Sequence, residues 1–167
     1  MTDFTPRPRI WHKAIKKIAA TSFGSWLLAG NLHRLDRPVL RLTKGRANLT
    51  SLLAGLPVVV LTAKGARSRL PRTLPLAAIQ DGSRLVLIAS SFGKAQHPSW
   101  YYNLKANPDA EVQINGATYP CTARQAEGAE REEYWKKAVE MYTGYARYAD
   151  KANRQIPVIV LEVDGLS

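Results

Sequence analysis

Two hydrophobic rhythms divide the chain. Near its start, Trp11, Ala14, Ile15, Ile18 and later Trp26 recur at helical spacing, with Lys13, Lys16 and Lys17 on the opposite face. This pattern predicts a short basic amphipathic helix from about Ile10, after a lead that contains Pro6 and Pro8. Gly24 and Gly30 weaken its continuation. From residue 56 the texture changes. The β-branched run Pro57 to Thr62 predicts a strand, Lys64 to Arg69 a turn, and Arg72 to Ile79 a second strand. Asp81-Gly82 links that strand to Leu85–Ala89 as a hairpin, and Ser90 to Gln96 reads as a loop. His97 to Ala106 predicts a short helix, stopped by Asn107-Pro108. Ala110–Ile114 and Thr118–Arg124 flank Asn115-Gly116, a second hairpin signal. Glu127 to Asp150 reads as one long helix whose acidic start (Glu127, Glu130, Glu132, Glu133) suits the positive end of a helix dipole. Ile156 to Val163 closes the chain as an apolar strand. Mostly antiparallel strands with a late long helix predict an α+β protein built on a small β-barrel with helical cover.

Composition bounds this picture without changing it. The chain has 167 residues, 46% hydrophobic and 22% charged, which suits one compact domain with an added arm. We divide it into a basic arm over residues 1–50 and a barrel domain over 51–167. Apolar runs such as Leu56 to Ala63 fall far short of the roughly 20 residues that cross a bilayer as a helix. No cleaved signal peptide is read at the start. Charge adds more. The net formal charge is +11, and residues 1–55 hold ten basic residues against two acidic ones, which puts +8 in the first third. A polyanionic partner, if there is one, therefore faces the arm. The arm's helix has two readings, packing on the protein's own core or lying on an anionic membrane with tryptophan at the interface. No nucleic-acid recognition motif accompanies the charge, so no nucleic acid is expected as a partner. Cys121 is alone, which excludes an intramolecular disulfide and suits a reducing cytoplasm. His12, His33 and His97 lack ligand spacing, so no metal site is expected.

The chemistry-bearing residues are few. No dinucleotide fingerprint, Walker loop, zinc-protease motif or nucleophile elbow is present. An enzyme built from these residues would need a bound cofactor for the hard chemistry. Three clusters could serve one. The basic turn Lys64-Gly65-Ala66-Arg67-Ser68-Arg69, with Arg72 beyond it, could hold a phosphate or stand as a solvated turn. Ser90-Ser91-Phe92-Gly93 followed by His97-Pro98-Ser99-Trp100-Tyr101 could admit a flat ring, and Trp100 could equally be core. Tyr142, Tyr145 and Tyr148 share a broad helical face that suits either packing or a planar ligand.

These residues carry a resemblance. Gly55-Leu56-Pro57-Val58-Val59-Val60-Leu61-Thr62, the basic turn ending in Pro71-Arg72, and Pro75-Leu76 resemble the deazaflavin (coenzyme F-420)-dependent nitroreductase and quinone reductase family. The segment from His97 through Pro98, Trp100, Tyr101, Asn103, Leu104, Ala106, Asn107 and Pro108 is similar to that family's N/H-P-x-W-Y-x-N-L-x-A-N-P block. Glu130-Arg131, Tyr134-Trp135, the three tyrosines and Arg154-Gln155-Ile156-Pro157 match its C-terminal part. The resemblance covers about residues 50–163 and leaves the arm poorly covered. It implies a split β-barrel related to the flavin-binding barrels. It also implies reduced coenzyme F-420, a deazaflavin with a phosphate and a polyglutamate tail, and an actinobacterial setting.

By position, the resemblance assigns Arg67, Ser68 and Arg72 to the phosphate and tail. It puts Ser90 and Ser91 at the deazaflavin, lines the same region with Trp100 and Asn103, and sets Tyr142, Tyr145 and Tyr148 on the acceptor side. Ser90, Tyr145 and Tyr148 are the candidate catalytic residues, as donors to an acceptor oxygen. Two departures stand out. Arg69 occupies the place of a family glycine and must avoid the left-handed backbone or bear its cost. Ser91 stands where some members have lysine. The expected function is hydride transfer from the reduced cofactor to a quinone, nitroaromatic or similar small-molecule electron acceptor. The alternative is a non-catalytic deazaflavin, flavin or lipid binder at a membrane surface. The expected location is the cytoplasm, with the arm on the inner face of the cell membrane.

Overall fold

A computed structural model describes residues 56–166. The amphipathic helix and the boundary of the basic arm lie outside those residues. Six antiparallel strands close a barrel in the order β1-β2-β3-β6-β5-β4: β1 (Val58–Lys64), β2 (Pro71–Asp81), β3 (Arg84–Ile88), β4 (Asp109–Ile114), β5 (Ala117–Gln125) and β6 (Val158–Val163). Closure removes the free strand edges that an open sheet would leave. Two-residue turns set the register of both predicted hairpins. Asp81 pairs with Arg84 across Gly82-Ser83, and Ile114 pairs with Ala117 across Asn115-Gly116. Asn115 and Gly116 both have positive φ, 51° and 90°, as the primed turns of hairpins require.

The apolar runs in β3 and β6 are buried on both faces. On one, Leu85, Leu87, Ile159 and Leu161 join Val59, Leu61 and Val112 in a cluster that also takes Trp100, Tyr101 and Leu104 from α1 (Ser99–Ala106). Enclosing a leucine such as Leu61 or Leu161 contributes about 1.5–3 kcal/mol. On the other face, Val86, Ile88, Val158 and Val160 meet the helices α2 (Gly128–Met141) and α3 (Gly144–Ala152). The expected antiparallel barrel with helical cover is the observed fold.

The single long helix expected from Glu127 to Asp150 is two. Tyr142 breaks it with an extended backbone, φ −149° and ψ 105°. Its ring folds back over Gly144, where a side chain would overlap it. Arg124 on β5 grips Glu130 of α2 through two hydrogen bonds, 2.6 and 2.7 Å, which fixes the start of the helical cover.

Candidate functional site

The β1–β2 turn and one face of α1 enclose a groove of about 1050 Å³. Gly65, Ala66, Arg67 and Ser68 line one side, and Ser99, Trp100, Tyr102, Asn103, Lys105 and Ala106 the other. The turn closes through Gly65 N–H to the Leu70 carbonyl (2.9 Å) and Arg69 N–H to the Gly65 carbonyl (2.9 Å). Gly65 is required by this tightness, since a Cβ there would stand 2.6 Å from Ser68 Oγ and 3.2 Å from the Leu70 carbonyl oxygen. The Asn103 side-chain carbonyl accepts the Ala66 N–H (3.0 Å), which ties the turn to α1. Ser68 Oγ accepts hydrogen bonds from Arg72 Nη2 (3.3 Å) and the Leu70 N–H (3.4 Å), so Ser68 and Arg72 act as a unit.

Arg69 bears the cost anticipated for it. Its φ is +58°, in the region that favours glycine, at about 1–2 kcal/mol. Its guanidinium donates to Asn107 Oδ1 (3.0 Å), and Asn107 Nδ2 in turn donates to the Lys64 carbonyl (3.4 Å). The arginine is thus held across the turn toward the end of α1.

Of the residues assigned by resemblance, Arg67, Ser68, Arg72, Trp100 and Asn103 meet in this groove. Ser90 and Ser91 do not line it. They begin the loop after β3, where Ser91, Phe92 and Gly93 have φ of 51°, 56° and 74° in succession. That loop packs on α3, with the Phe92 ring edge-on to Tyr148 at 6.0 Å. Tyr142, Tyr145 and Tyr148 do share a cluster, although Tyr142 stands at the helix break. Their rings meet at 5.5–6.3 Å, and the Tyr142 and Tyr148 hydroxyls lie 3.4 Å apart. Burial pushes the Tyr145 and Tyr148 phenols well above their ordinary range, with the neighbouring Tyr142 adding to both. A phenol is already protonated at neutral pH, and the upward shift keeps both so into more alkaline solution, so each hydroxyl is a donor.

Two further residues line the groove, and a third packs against one of them. The two are Tyr102 and Lys105. Their signal is the helical spacing of Ser99, Tyr102, Asn103 and Ala106, which predicts one shared face. The His97 ring lies tilted against Tyr101, centroids 4.7 Å apart, and edge-on to Tyr102 at 5.9 Å, and its Nδ1 is buried without a hydrogen-bond partner among the described residues. Burial, then the charges of Arg154 and Lys105, hold it below the ordinary imidazole range. Cys121 is inert by contrast, its thiol pushed up to about 11 by burial and then by nearby carboxylates.

The donor set suits a phosphorylated planar ligand. Two guanidinium groups and a hydroxyl converge at one end, and the other wall carries Trp100 and Tyr102. Residues 33–163 match the family described as F420H(2)-dependent quinone reductase. An F420H(2)-dependent quinone reductase of Mycobacterium tuberculosis (strain ATCC 25618 / H37Rv) is 33% identical over 133 residues, 78% of this chain and 89% of that protein. A solved F420-H2-dependent reductase structure is 45% identical, covers 64% of this chain and 94% of its own, and superposes with a TM-score of 0.59. A solved domain-swapped dimer is 38% identical over 84% of this chain and all of its own, with a TM-score of 0.61. The chain belongs to the F420H(2)-dependent quinone reductase family, and it is a reductase whose cofactor is reduced coenzyme F-420.

Proposed function

We propose that the protein passes a hydride to a quinone, with nitroaromatics and similar electrophiles as further acceptors. The carrying observation is the basic groove. Arg67 reaches it from the β1–β2 turn and Arg72 from the start of β2, Ser68 is already bonded to Arg72, and Lys105 lines the facing helix. These groups would hold the cofactor's phosphate and acidic tail, with Trp100 and Asn103 alongside. The bound cofactor supplies the hydride from its reduced deazaflavin. The chain supplies position and a dry wall, which lower the barrier by orienting the reactants and excluding water. The Tyr145 and Tyr148 phenols and the Ser90 hydroxyl are the donors offered to negative charge developing on the acceptor oxygen.

Quinones dissolve in membranes, and the sequence of the arm fits that setting. In this reading the protein is cytoplasmic, with residues 1–50 against the anionic inner face of the cell membrane.

The test is titration of the purified protein with reduced coenzyme F-420, FMN and NADPH, followed by fluorescence. Turnover with a soluble menaquinone analogue completes it. Tight binding of the deazaflavin alone is expected. Arg72→Ala should weaken it by about 1.5–3 kcal/mol, the loss of a charge-assisted hydrogen bond. Equal affinity for FMN would count against the reading, and an unchanged dissociation constant in the variant would remove Arg72 from the site.

A further inference from the structure

Arg154 follows α3, just beyond Asn153, which ends the helix in the left-handed conformation with φ 48°. Its guanidinium contacts five backbone carbonyls and no carboxylate among the described residues. Nε donates to Lys94 O (3.2 Å) and Nη1 to Gln155 O (3.3 Å). Nη2 is shared among Ala89 O (3.4 Å), Ser90 O (3.4 Å) and Gln96 O (3.3 Å). Four of these acceptors belong to the loop between β3 and α1. That loop needs holding. Ser91, Phe92 and Gly93 are consecutively left-handed, and two of them carry side chains that disfavour it. Gly93 also sits tight on α3, where a Cβ would come 3.1 Å from the Tyr148 carbonyl oxygen. Within the loop, only two backbone bonds cross the strained turn, Gly93 N–H to Ser90 O (3.0 Å) and Lys94 N–H to Ser91 O (3.1 Å).

We infer that Arg154 is a positioning residue for hydride transfer: it clamps the strained Ser90–Gly93 loop onto α3, so that the Ser90 hydroxyl and the Tyr145 and Tyr148 phenols form one wall. A rigid planar fork with five donors can bind several carbonyls at once, which an ammonium cannot match. The inference rests on the reading that Ser90 and the tyrosines face the reacting ring. The groove that anchors the cofactor is built from other residues, so the clamp should act on turnover and not on anchoring.

The test compares Arg154→Gln and Arg154→Lys with the wild-type protein. Hydrogen exchange at the Gly93 and Lys94 amides should speed at least tenfold in Arg154→Gln, while amides of β3 and β6 keep their protection. Turnover number with a soluble menaquinone analogue should fall at least tenfold, and the dissociation constant for reduced coenzyme F-420 should move less than about threefold. Arg154→Lys should recover part of the loss. Unchanged loop exchange overturns the inference, as does faster exchange with an unaltered turnover number. Cofactor affinity that collapses with turnover overturns it too. Should the glutamine variant fail to fold, the lysine variant is read by the same criteria. Ser90→Ala separates the two readings. If it leaves turnover intact while Arg154→Gln lowers it with a looser loop, the role given to Ser90 fails and the clamp stands. If Ser90→Ala lowers turnover and Arg154→Gln does not, the clamp alone fails.

Discussion

His97 shows how a single residue acquires properties that its sequence position does not display. Beside Tyr101 and Tyr102, near Arg154 and Lys105, its imidazolium is penalised first by burial and then by those two cations. The folded-state value lies below that of the unfolded chain, about 6.5. The unfolded chain therefore binds more protons in the window just under that value, and stability falls as pH drops through it. Thermal melts between pH 7.5 and 5.5 should show this loss, and His97→Gln should flatten it. An identical pH slope in the variant would assign the effect to other groups. The basic turn and the block from His97 to Pro108 were legible as motifs, because their residue types are tied to local chemistry. The anchoring of Arg69 by Asn107 was not legible. It depends on how closely the end of α1 approaches the turn, and no local pattern encodes that distance.

At the level of elements, strands were easier to read than the helical cover. Every expected strand and hairpin is present within one or two residues, since β-branched runs between turn dipeptides leave few alternatives. The break in the late helix escaped because Met141-Tyr142-Thr143-Gly144 contains no proline and keeps an apolar period. What ends α2 is tertiary: Tyr142 leaves the helix so that its ring can join Tyr145 and Tyr148 and cover Gly144. Helical periodicity alone therefore suggested a continuous face where the structure has a corner. Gly144→Ala tests this packing. The added methyl group overlaps the Tyr142 ring, so the ring must swing out of the cluster and lose the 3.4 Å contact with the Tyr148 hydroxyl. Overpacking of this kind costs about 1–3 kcal/mol, and the melting temperature should fall by several degrees. An unaltered melt would mean that the ring moves aside freely and that the corner is held by something else.

Across the whole molecule, the groove proposed to anchor the cofactor and the tyrosines proposed to face the acceptor are built from different parts of the chain. The groove joins the first strand turn to α1, whose apolar residues belong to one packing cluster, and the tyrosines belong to the other. Tyr145→Phe and Tyr148→Phe should therefore lower kcat/KM by roughly ten- to a hundredfold, about 1.4–3 kcal/mol for one transition-state hydrogen bond, with cofactor affinity changing far less. Joint collapse of binding and turnover would move the tyrosines into the cofactor site or the core. The charge is divided in a similar way, with +8 in the first 55 residues against +3 in the remaining 112. On the reading proposed above, the arm is what brings the enzyme to a membrane-borne acceptor. A lysine near an anionic surface contributes about 1 kcal/mol, so Lys13, Lys16 and Lys17 opposite Trp11, Ile15 and Ile18 should support reversible binding that weakens with salt. Co-sedimentation with anionic vesicles should be lost on deletion of residues 1–30. The decisive comparison is between two acceptors. Deletion should leave turnover with a soluble menaquinone analogue near wild type, and slow turnover with a long-chain menaquinone embedded in those vesicles. Equal pelleting by neutral and anionic vesicles would reject the electrostatic part. Equal loss with both acceptors would show that the arm supports the barrel and does not deliver it to the membrane.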